Sequence, residues 1–159
     1  MGELHPFVLH FAVGLLLVAP VCDVLGLVMR REALLLVGRW NTLIGALAAV
    51  LSVLTGLTAE AGLGPHSAAG EALLQIHRAL GFVMLIVVVP VSFWRAASKL
   101  PLPLRARTVY LAGSFAVAAI VLAQALLGET LVYRHGVGLS AAARAEPVVR
   151  APAPGSDKR

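Results

Sequence analysis

The sequence has few charged residues, few aromatic residues and only one cysteine. Asp, Glu, Lys and Arg make up 13% of the 159 residues and aromatic residues 6%, whereas soluble domains carry about 25% charged residues. This deficit, together with a mean hydropathy of +0.89, excludes an ordinary soluble domain and predicts that lipid is the solvent. The single cysteine, Cys22, excludes an internal disulfide framework.

Motifs of soluble enzymes and of nucleic-acid-binding proteins are also missing. The sequence contains no G-x-S-x-G, no H-E-x-x-H and no glycine-rich phosphate loop, so it supports no classical catalytic chemistry. The net charge of +5 comes from basic residues at the ends of apolar segments. This distribution, without a basic face, argues against nucleic acid as a partner. The N-terminus lacks the basic region of a cleavable signal, so we expect the first apolar segment to be retained.

Four apolar segments are each long enough to cross a bilayer. They run from about Pro6 to Met29, Arg39 to Ala59, Ala72 to Trp94 and Thr108 to Tyr133. At 1.5 Å per residue each covers roughly 30 Å of hydrocarbon, and backbone groups in lipid must pair internally, which requires helices. The sequence therefore predicts an all-α integral membrane protein. We expect a four-helix up-down bundle over residues 1–139 and a disordered polar tail over residues 140–159.

Basic residues are concentrated on one side of the predicted bundle. That side carries Arg30, Arg31, Arg39, Arg95, Lys99, Arg105 and Arg107. The opposite side has only Arg78 and Arg134 close to the membrane. The positive-inside rule therefore places the first side in the cytoplasm and both termini in the periplasm. Asp23 stands alone on the cytoplasmic side, and we expect it to pair with an arginine such as Arg95 or to reach the surface.

Two pairs of short motifs indicate an internal repeat. His10-Phe11-Ala12-Val13-Gly14 opens the first span and His77-Arg78-Ala79-Leu80-Gly81 the third, both as H-x-A-x-G. Gly56-Leu57-Thr58 ends the second span, and Gly128-Glu129-Thr130 lies near the end of the fourth. These motifs favour two helical hairpins related by an axis along the membrane normal, although such short patterns also recur by chance.

The second span carries a stripe of small residues at spacings of four, three and four. They are Gly45, Ala49, Ser52 and Gly56. Small side chains let helices approach closely, so we expect this stripe to pack against a neighbouring helix.

Ionisable residues inside the predicted bundle lie mostly near its outer end. They are His5, His10, Glu60, His77, Arg78, Glu129, Arg134 and His135. Ionisable groups in a membrane are costly and therefore mark candidate functional positions. Glu129 in particular needs a partner, either Arg78 or His77, in an ion pair or in a proton relay.

His10 and His77 are the main candidate ligands. Each lies about one turn inside a helix, the two helices run in the same direction, and parallel helices of an up-down bundle are diagonal neighbours across the core. Gly14 and Gly81 follow at i+4, one turn deeper on the same face, and leave space below the imidazoles. This arrangement predicts a b-type haem held between His10 and His77.

The same cluster allows other interpretations. In the haem interpretation, Arg78 and Arg134 would pair with the propionates. Alternatively, the cluster is purely structural, or it serves a metal ion, a quinone or proton handling. His5 and His135 could add ligands for zinc or copper, but their spacing matches no sharp metal motif.

Both ends of the chain resemble a known membrane family. His5-Pro6-Phe7-Val8-Leu9-His10-Phe11, Asp23-Val24-Leu25-Gly26 and the closing segment from Gly128 to Gly138 resemble the bacterial family called domain of unknown function 2231. The resemblance covers about residues 5–139, although Ala12 stands where the family has a proline. It implies a four-helix protein of the bacterial inner membrane. Its characteristic polar positions would be His5, His10, His77, Glu129 and His135.

The resemblance also favours electron transfer, because some members are joined to or encoded near cytochrome-like redox modules. The first expectation is therefore a haem-b-binding membrane subunit that passes electrons on the periplasmic side to a soluble or lipid-borne partner. The alternatives are a non-catalytic assembly subunit of a membrane complex and a metal-sensing or transport module built on the outer histidines.

Overall fold

The chain forms four long helices joined by short loops. The computed structural model describes residues 4–98 and 103–139, and the predicted tail over residues 140–159 lies outside the described residues. The helices are α1 (Leu4–Val28), α2 (Glu32–Glu60), α3 (Ala68–Ala97) and α4 (Leu104–Tyr133), and the described residues contain no strand. All four are long and apolar enough to span a membrane, which confirms the predicted all-α membrane bundle.

The helices begin earlier than the apolar segments that predicted them. α2 begins at Glu32 rather than Arg39, and α3 begins at Ala68, directly after Ser67. The Ser67 side chain accepts a hydrogen bond from the Gly70 N–H at 3.1 Å and so caps the first turn of α3. Hydropathy detects only the part of a helix in hydrocarbon, whereas the helix itself continues into the polar interface.

The helices are arranged as a ring in which each packs against its neighbours in sequence and α1 closes against α4. Within the described residues α1 and α3 make no direct backbone contact, so they are diagonal neighbours, as predicted. The closest packing joins α1 and α2, where a Cβ on Gly45 would lie 2.8 Å from Leu16 Cγ. The small-residue stripe of α2 therefore packs against α1, as predicted.

The buried positions of the two hairpins coincide at a shift of 72 residues, the separation of Asp23 and Arg95. On α1 and α3 the buried pairs are Ala12 and Met84, Leu16 and Val88, Pro20 and Ser92, and Asp23 and Arg95. On α2 and α4 they are Gly38 and Tyr110, Thr42 and Ser114, Gly45 and Val117, Ala46 and Ala118, Ala49 and Val121, and Ser52 and Gln124. The two hairpins therefore present equivalent faces to the core, which supports the predicted repeat.

This register changes one of the two motif alignments. It pairs Gly56 with Gly128, as the second motif pair does, but it matches His77 with His5 rather than with His10. The H-x-A-x-G pattern is a weak guide to the register because glycine and alanine are common in membrane helices. The buried positions are a stronger guide because they agree at many positions along both hairpins.

An apolar layer fills the middle of the bundle. Its buried members include Leu16, Met84, Val88, Val117 and Val121. This layer separates two polar regions. We call the one around Asp23 and Arg95 the arginine end, and the one around His5 and His77 the histidine end.

Candidate ligand-binding site

A buried ion pair at the arginine end ties the four helices together. Arg95 Nη2 donates to Asp23 Oδ1 at 3.1 Å and to Leu35 O at 2.7 Å. Tyr110 donates its hydroxyl to Asp23 Oδ2 at 2.6 Å and lies 3.3 Å from Thr42 Oγ1. Asp23 and Arg95 are only 2% and 1% exposed. The predicted pairing of these two residues is confirmed.

The fold leaves space for this ion pair through a glycine. A Cβ on Gly38 would lie 2.5 Å from Asp23 Oδ1, so no larger residue fits there without a shift. The Arg95 guanidinium also stacks 5.3 Å from the centre of the Tyr110 ring. The cluster is buried from both lipid and water, so we interpret it as a structural connection between the helices and not as a ligand site.

The histidine end contains a partly open cavity of about 1770 Å³ between the four helices. This is larger than the roughly 300–1,000 Å³ of a usual small-molecule pocket. Most of the predicted polar cluster lines it: His5, His10, Glu60, His77, Arg78 and Glu129. Arg134 and His135 are not among the lining residues. The structure therefore brings six of the eight predicted polar residues to one cavity.

His5 is anchored against α2. Its Nδ1 lies 2.8 Å from the Ser52 carbonyl oxygen, and its ring covers Gly56, whose Cβ position is 3.0 Å from His5 Cε1. A carbonyl can only accept a hydrogen bond, so Nδ1 carries the proton and donates it. The lone pair of the neutral ring is therefore on Nε2.

His77 occupies the equivalent position on α3. Its Cε1 lies 3.5 Å from the Cβ position of Gly128, as His5 lies over Gly56 one repeat earlier. Its Nδ1 is buried and has no hydrogen-bond partner in the described part of the chain. Both rings line the same cavity, one from α1 and the other from α3.

His10 points in another direction. At about 100° per residue, five positions rotate a side chain by about 140° relative to His5, and His10 is exposed. Its Nδ1 donates to the carbonyl oxygen of Pro6, one turn earlier. His10 thus lines the cavity from the edge of α1. Its pairing with His77 stays a prediction, and the geometry favours His5 as the partner of His77.

The two glycines expected to leave space below the histidines differ. Nothing lies within 4 Å of the Cβ position of Gly14, so space is open there. At Gly81, however, the Nε2 atom of Gln124 lies 3.0 Å from the Cβ position, so the side chain of Gln124 fills that space. Gly81 nevertheless lines the cavity, and its place below a haem stays a prediction.

Charged residues at the cavity rim also pair differently from the prediction. Arg78 Nη1 donates to Glu60 Oε1 at 2.7 Å, so Glu129 does not have Arg78 as its partner. No ion pair or hydrogen bond of the Glu129 side chain is present among the described residues. Arg134 is exposed at the end of α4, where Gly136 adopts a φ of 62° and ends the helix.

Sequence reasoning missed two polar residues that face the interior. Tyr110 and Gln124 are buried, but each lies in an apolar segment without a motif. The 72-residue repeat register is the signal that could have identified Gln124, because it aligns this residue with Ser52 of the small-residue stripe.

Four membrane-spanning helices, a sealed ion pair at one end and a polar cavity at the other define a small polytopic membrane protein. Residues 2–141 match the family model described as "Predicted membrane protein (DUF2231)". The chain therefore belongs to this family, as the end motifs indicate. It matches no curated protein and no solved structure.

Proposed function

We propose that the protein is a membrane electron-transfer subunit whose histidine-end cavity holds a b-type haem between His5 and His77. The observation that supports this proposal most directly is that the imidazoles of His5 and His77, at equivalent positions on the diagonal helices α1 and α3, line one large cavity. A porphyrin supplies four of the iron ligands, so two protein ligands suffice. Bound haem would supply a one-electron carrier, and the chain would set its position and surroundings.

The hydrogen bond of His5 fits this role. Histidines that bind metals almost always donate their other ring N–H to a carboxylate or a carbonyl. His5 Nδ1 donates to Ser52 O at 2.8 Å, which leaves Nε2 as the ligand atom. The ring is thus held in one tautomer before any iron binds.

His77 has a potential partner of the same kind in Gln124. Gln124 occupies the position equivalent to Ser52, and its Oε1 is buried without a hydrogen-bond partner in the described part of the chain, as is His77 Nδ1. A rotation of the Gln124 side chain would let Oε1 accept from Nδ1, so that Nε2 faces the cavity. Gln124 would then be the positioning residue of His77.

Charge at the rim supports anionic substituents on the cofactor. Arg78 is 46% exposed in its side chain and shares its guanidinium with Glu60. A guanidinium has five donors, so Arg78 can hold a propionate as well as Glu60. Arg134, also predicted for this role, is exposed beyond the end of α4.

Orientation follows from the basic residues. Arg30, Arg31 and Arg39 lie at the arginine end, and the positive-inside rule then places that end in the cytoplasm and the histidine end in the periplasm of a bacterial inner membrane. Because an apolar layer separates the two ends, electrons would enter and leave on the periplasmic side. A cytochrome-like subunit or a membrane-borne carrier would be the redox partner.

The experiment is an absorbance spectrum of the full-length protein purified after expression with haem available. We expect a Soret band with a low-spin, six-coordinate spectrum that is lost in His77→Ala. His135→Ala is the matched control, because His135 does not line the cavity, and it should keep the band. A wild-type protein without Soret absorbance would overturn the proposal.

The alternatives predict a different result. The buried Asp23–Arg95 ion pair connects all four helices through groups of this chain alone, so an assembly subunit without a cofactor is the second candidate. That protein would be colourless, and its loss would disperse partner subunits. A zinc or copper module would need stoichiometric metal by elemental analysis. Within the described residues no group of three or more His, Cys, Asp or Glu is arranged to hold a metal ion, so haem ligation by two histidines fits the side chains better.

A further inference from the structure

The part of the cavity lined by α1 and α4, which we call its mouth because His10 and Glu129 there are exposed, holds two polar groups that the haem site does not use. His10 lies on α1 and Glu129 on α4, and both line the cavity. His10 is about 9 Å along the helix from the first residue of α1, and Glu129 about 6 Å from the last residue of α4. Since α1 and α4 pack as antiparallel neighbours, the two side chains lie at similar depth.

Both groups are hydrogen-bond acceptors. His10 Nδ1 donates to the Pro6 carbonyl, so the free lone pair of the neutral ring is on Nε2. Glu129 is exposed, and its side chain has no ion pair or hydrogen bond among the described residues. A ligand in this mouth therefore has to bring donors.

The space beside these acceptors suits a flat apolar ring. Gly14 lies one turn from His10 on the same face, and nothing lies within 4 Å of its Cβ position. The adjoining wall is apolar and includes Leu9, Val13 and Val132. A membrane-dissolved ligand can enter here directly from the bilayer.

We propose that this mouth binds the head group of an isoprenoid quinol, the reduced form of a membrane quinone. A quinol brings two phenolic O–H donors on a flat ring, which match the acceptors His10 Nε2 and the Glu129 carboxylate. The oxidised quinone has only carbonyl acceptors and binds more weakly. A phospholipid phosphodiester has no O–H group to donate to these acceptors. The role of the quinol as the membrane-borne redox partner rests on the proposed function. Binding of the quinol itself does not require haem.

Photolabelling of the full-length protein in nanodiscs tests the inference. The probe is a short-chain ubiquinone carrying a diazirine, used in its reduced and oxidised forms, with and without haem. We expect label on α1 and α4, at least fivefold more with the reduced probe, in both haem states. Gly14→Leu should abolish this label, and Glu129→Leu should reduce it at least fivefold. Ala79→Leu, at an exposed position of α3 at similar depth, should leave it unchanged.

Three results with the quinone probe would overturn the inference. They are no specific label in the wild type, equal label with both forms of the probe, and label that survives Gly14→Leu. A diazirine phospholipid that labels the same segment as strongly would also overturn it, because the mouth would then be a general lipid contact. The Soret band is read on the same samples. Specific label without a Soret band would therefore contradict only the haem proposal, and a Soret band without label only the quinol proposal.

Discussion

At the scale of single residues, the buried ion pair explains how a carboxylate and a guanidinium persist within a membrane bundle. Each charge is paired with the other and hydrogen-bonded to a neutral partner: Tyr110 donates to Asp23, and Arg95 Nη2 donates to the Leu35 carbonyl. The Nε and Nη1 atoms of Arg95 are buried without a hydrogen-bond partner among the described residues. Taking either charge away leaves the other without compensation in a medium of low polarity. The pair is therefore expected to act as a unit.

Replacement of Arg95 by Met should destabilise the bundle by about 3–5 kcal/mol, because Asp23 would remain buried and unpaired. Adding Asp23→Asn should recover most of that loss, since the amide that replaces the carboxylate is neutral and its oxygen still accepts from Tyr110. The free energy of unfolding, measured by circular dichroism in mixed micelles of rising SDS content, checks both variants. A double variant no more stable than Arg95→Met alone would contradict the claim that Asp23 and Arg95 act as a pair.

Gln124 provides a second test at this scale. If Gln124 Oε1 holds the His77 ring, Gln124→Leu should weaken haem retention by about 10–100-fold, the usual cost of losing a hydrogen-bond partner of a metal-ligating histidine. The rate of haem transfer to apomyoglobin measures retention. Gln124→Glu keeps an oxygen acceptor and should retain haem far better than Gln124→Leu. Equal retention in the two variants would refute a positioning role.

At the scale of helices, glycine positions explain why the first hairpin is packed more closely than the rest of the ring. Gly45 meets Leu16 and Gly56 meets His5, both on α1. Close approach of α1 and α2 is therefore specified by the absence of side chains. The looser packing elsewhere leaves room for the cavity at the histidine end.

Substitution of glycine by alanine distinguishes glycines packed against a neighbouring helix from glycines with open space at the Cβ position. Gly45→Ala should destabilise the bundle by about 1–3 kcal/mol, because its Cβ would lie 2.8 Å from Leu16 Cγ. Gly14→Ala, where no atom lies within 4 Å, should be neutral or stabilise by about 0.5–1 kcal/mol. The same SDS titration compares the two, and equal effects would contradict the close packing of α1 and α2.

At the scale of the whole molecule, the sequence predicted the bundle but only part of the site. The lengths of the apolar segments predict the four helices. Because the first and third helices of an up-down bundle run in the same direction, the sequence also predicts that α1 and α3 are diagonal neighbours. The face of each helix that turns inward could not be read from hydropathy, because lipid-facing and buried positions are both apolar. The sequence motifs therefore favour His10 over His5, and they give no signal for Gln124 and Tyr110.

Membrane orientation is a further property of the whole molecule. In a Cys22→Ala background, Ala61→Cys in the loop at the histidine end should react with a membrane-impermeant maleimide on intact bacterial cells. Arg31→Cys, in the loop at the arginine end, should react only after the cells are opened, because the proposed orientation has the basic loops in the cytoplasm. The reverse labelling pattern would place the histidine end in the cytoplasm and contradict the proposed periplasmic site.

The most direct test of the central claim compares three histidine variants in one spectroscopic measurement. Full-length wild type, His5→Ala, His77→Ala and His10→Ala are purified with haem available, and the Soret band and the low-spin electron paramagnetic resonance signal are recorded. The account predicts both signals in the wild type and in His10→Ala, and loss of the low-spin signal in His5→Ala and His77→Ala. A wild type without either signal, or a low-spin signal that survives in His5→Ala and is lost in His10→Ala, would contradict it.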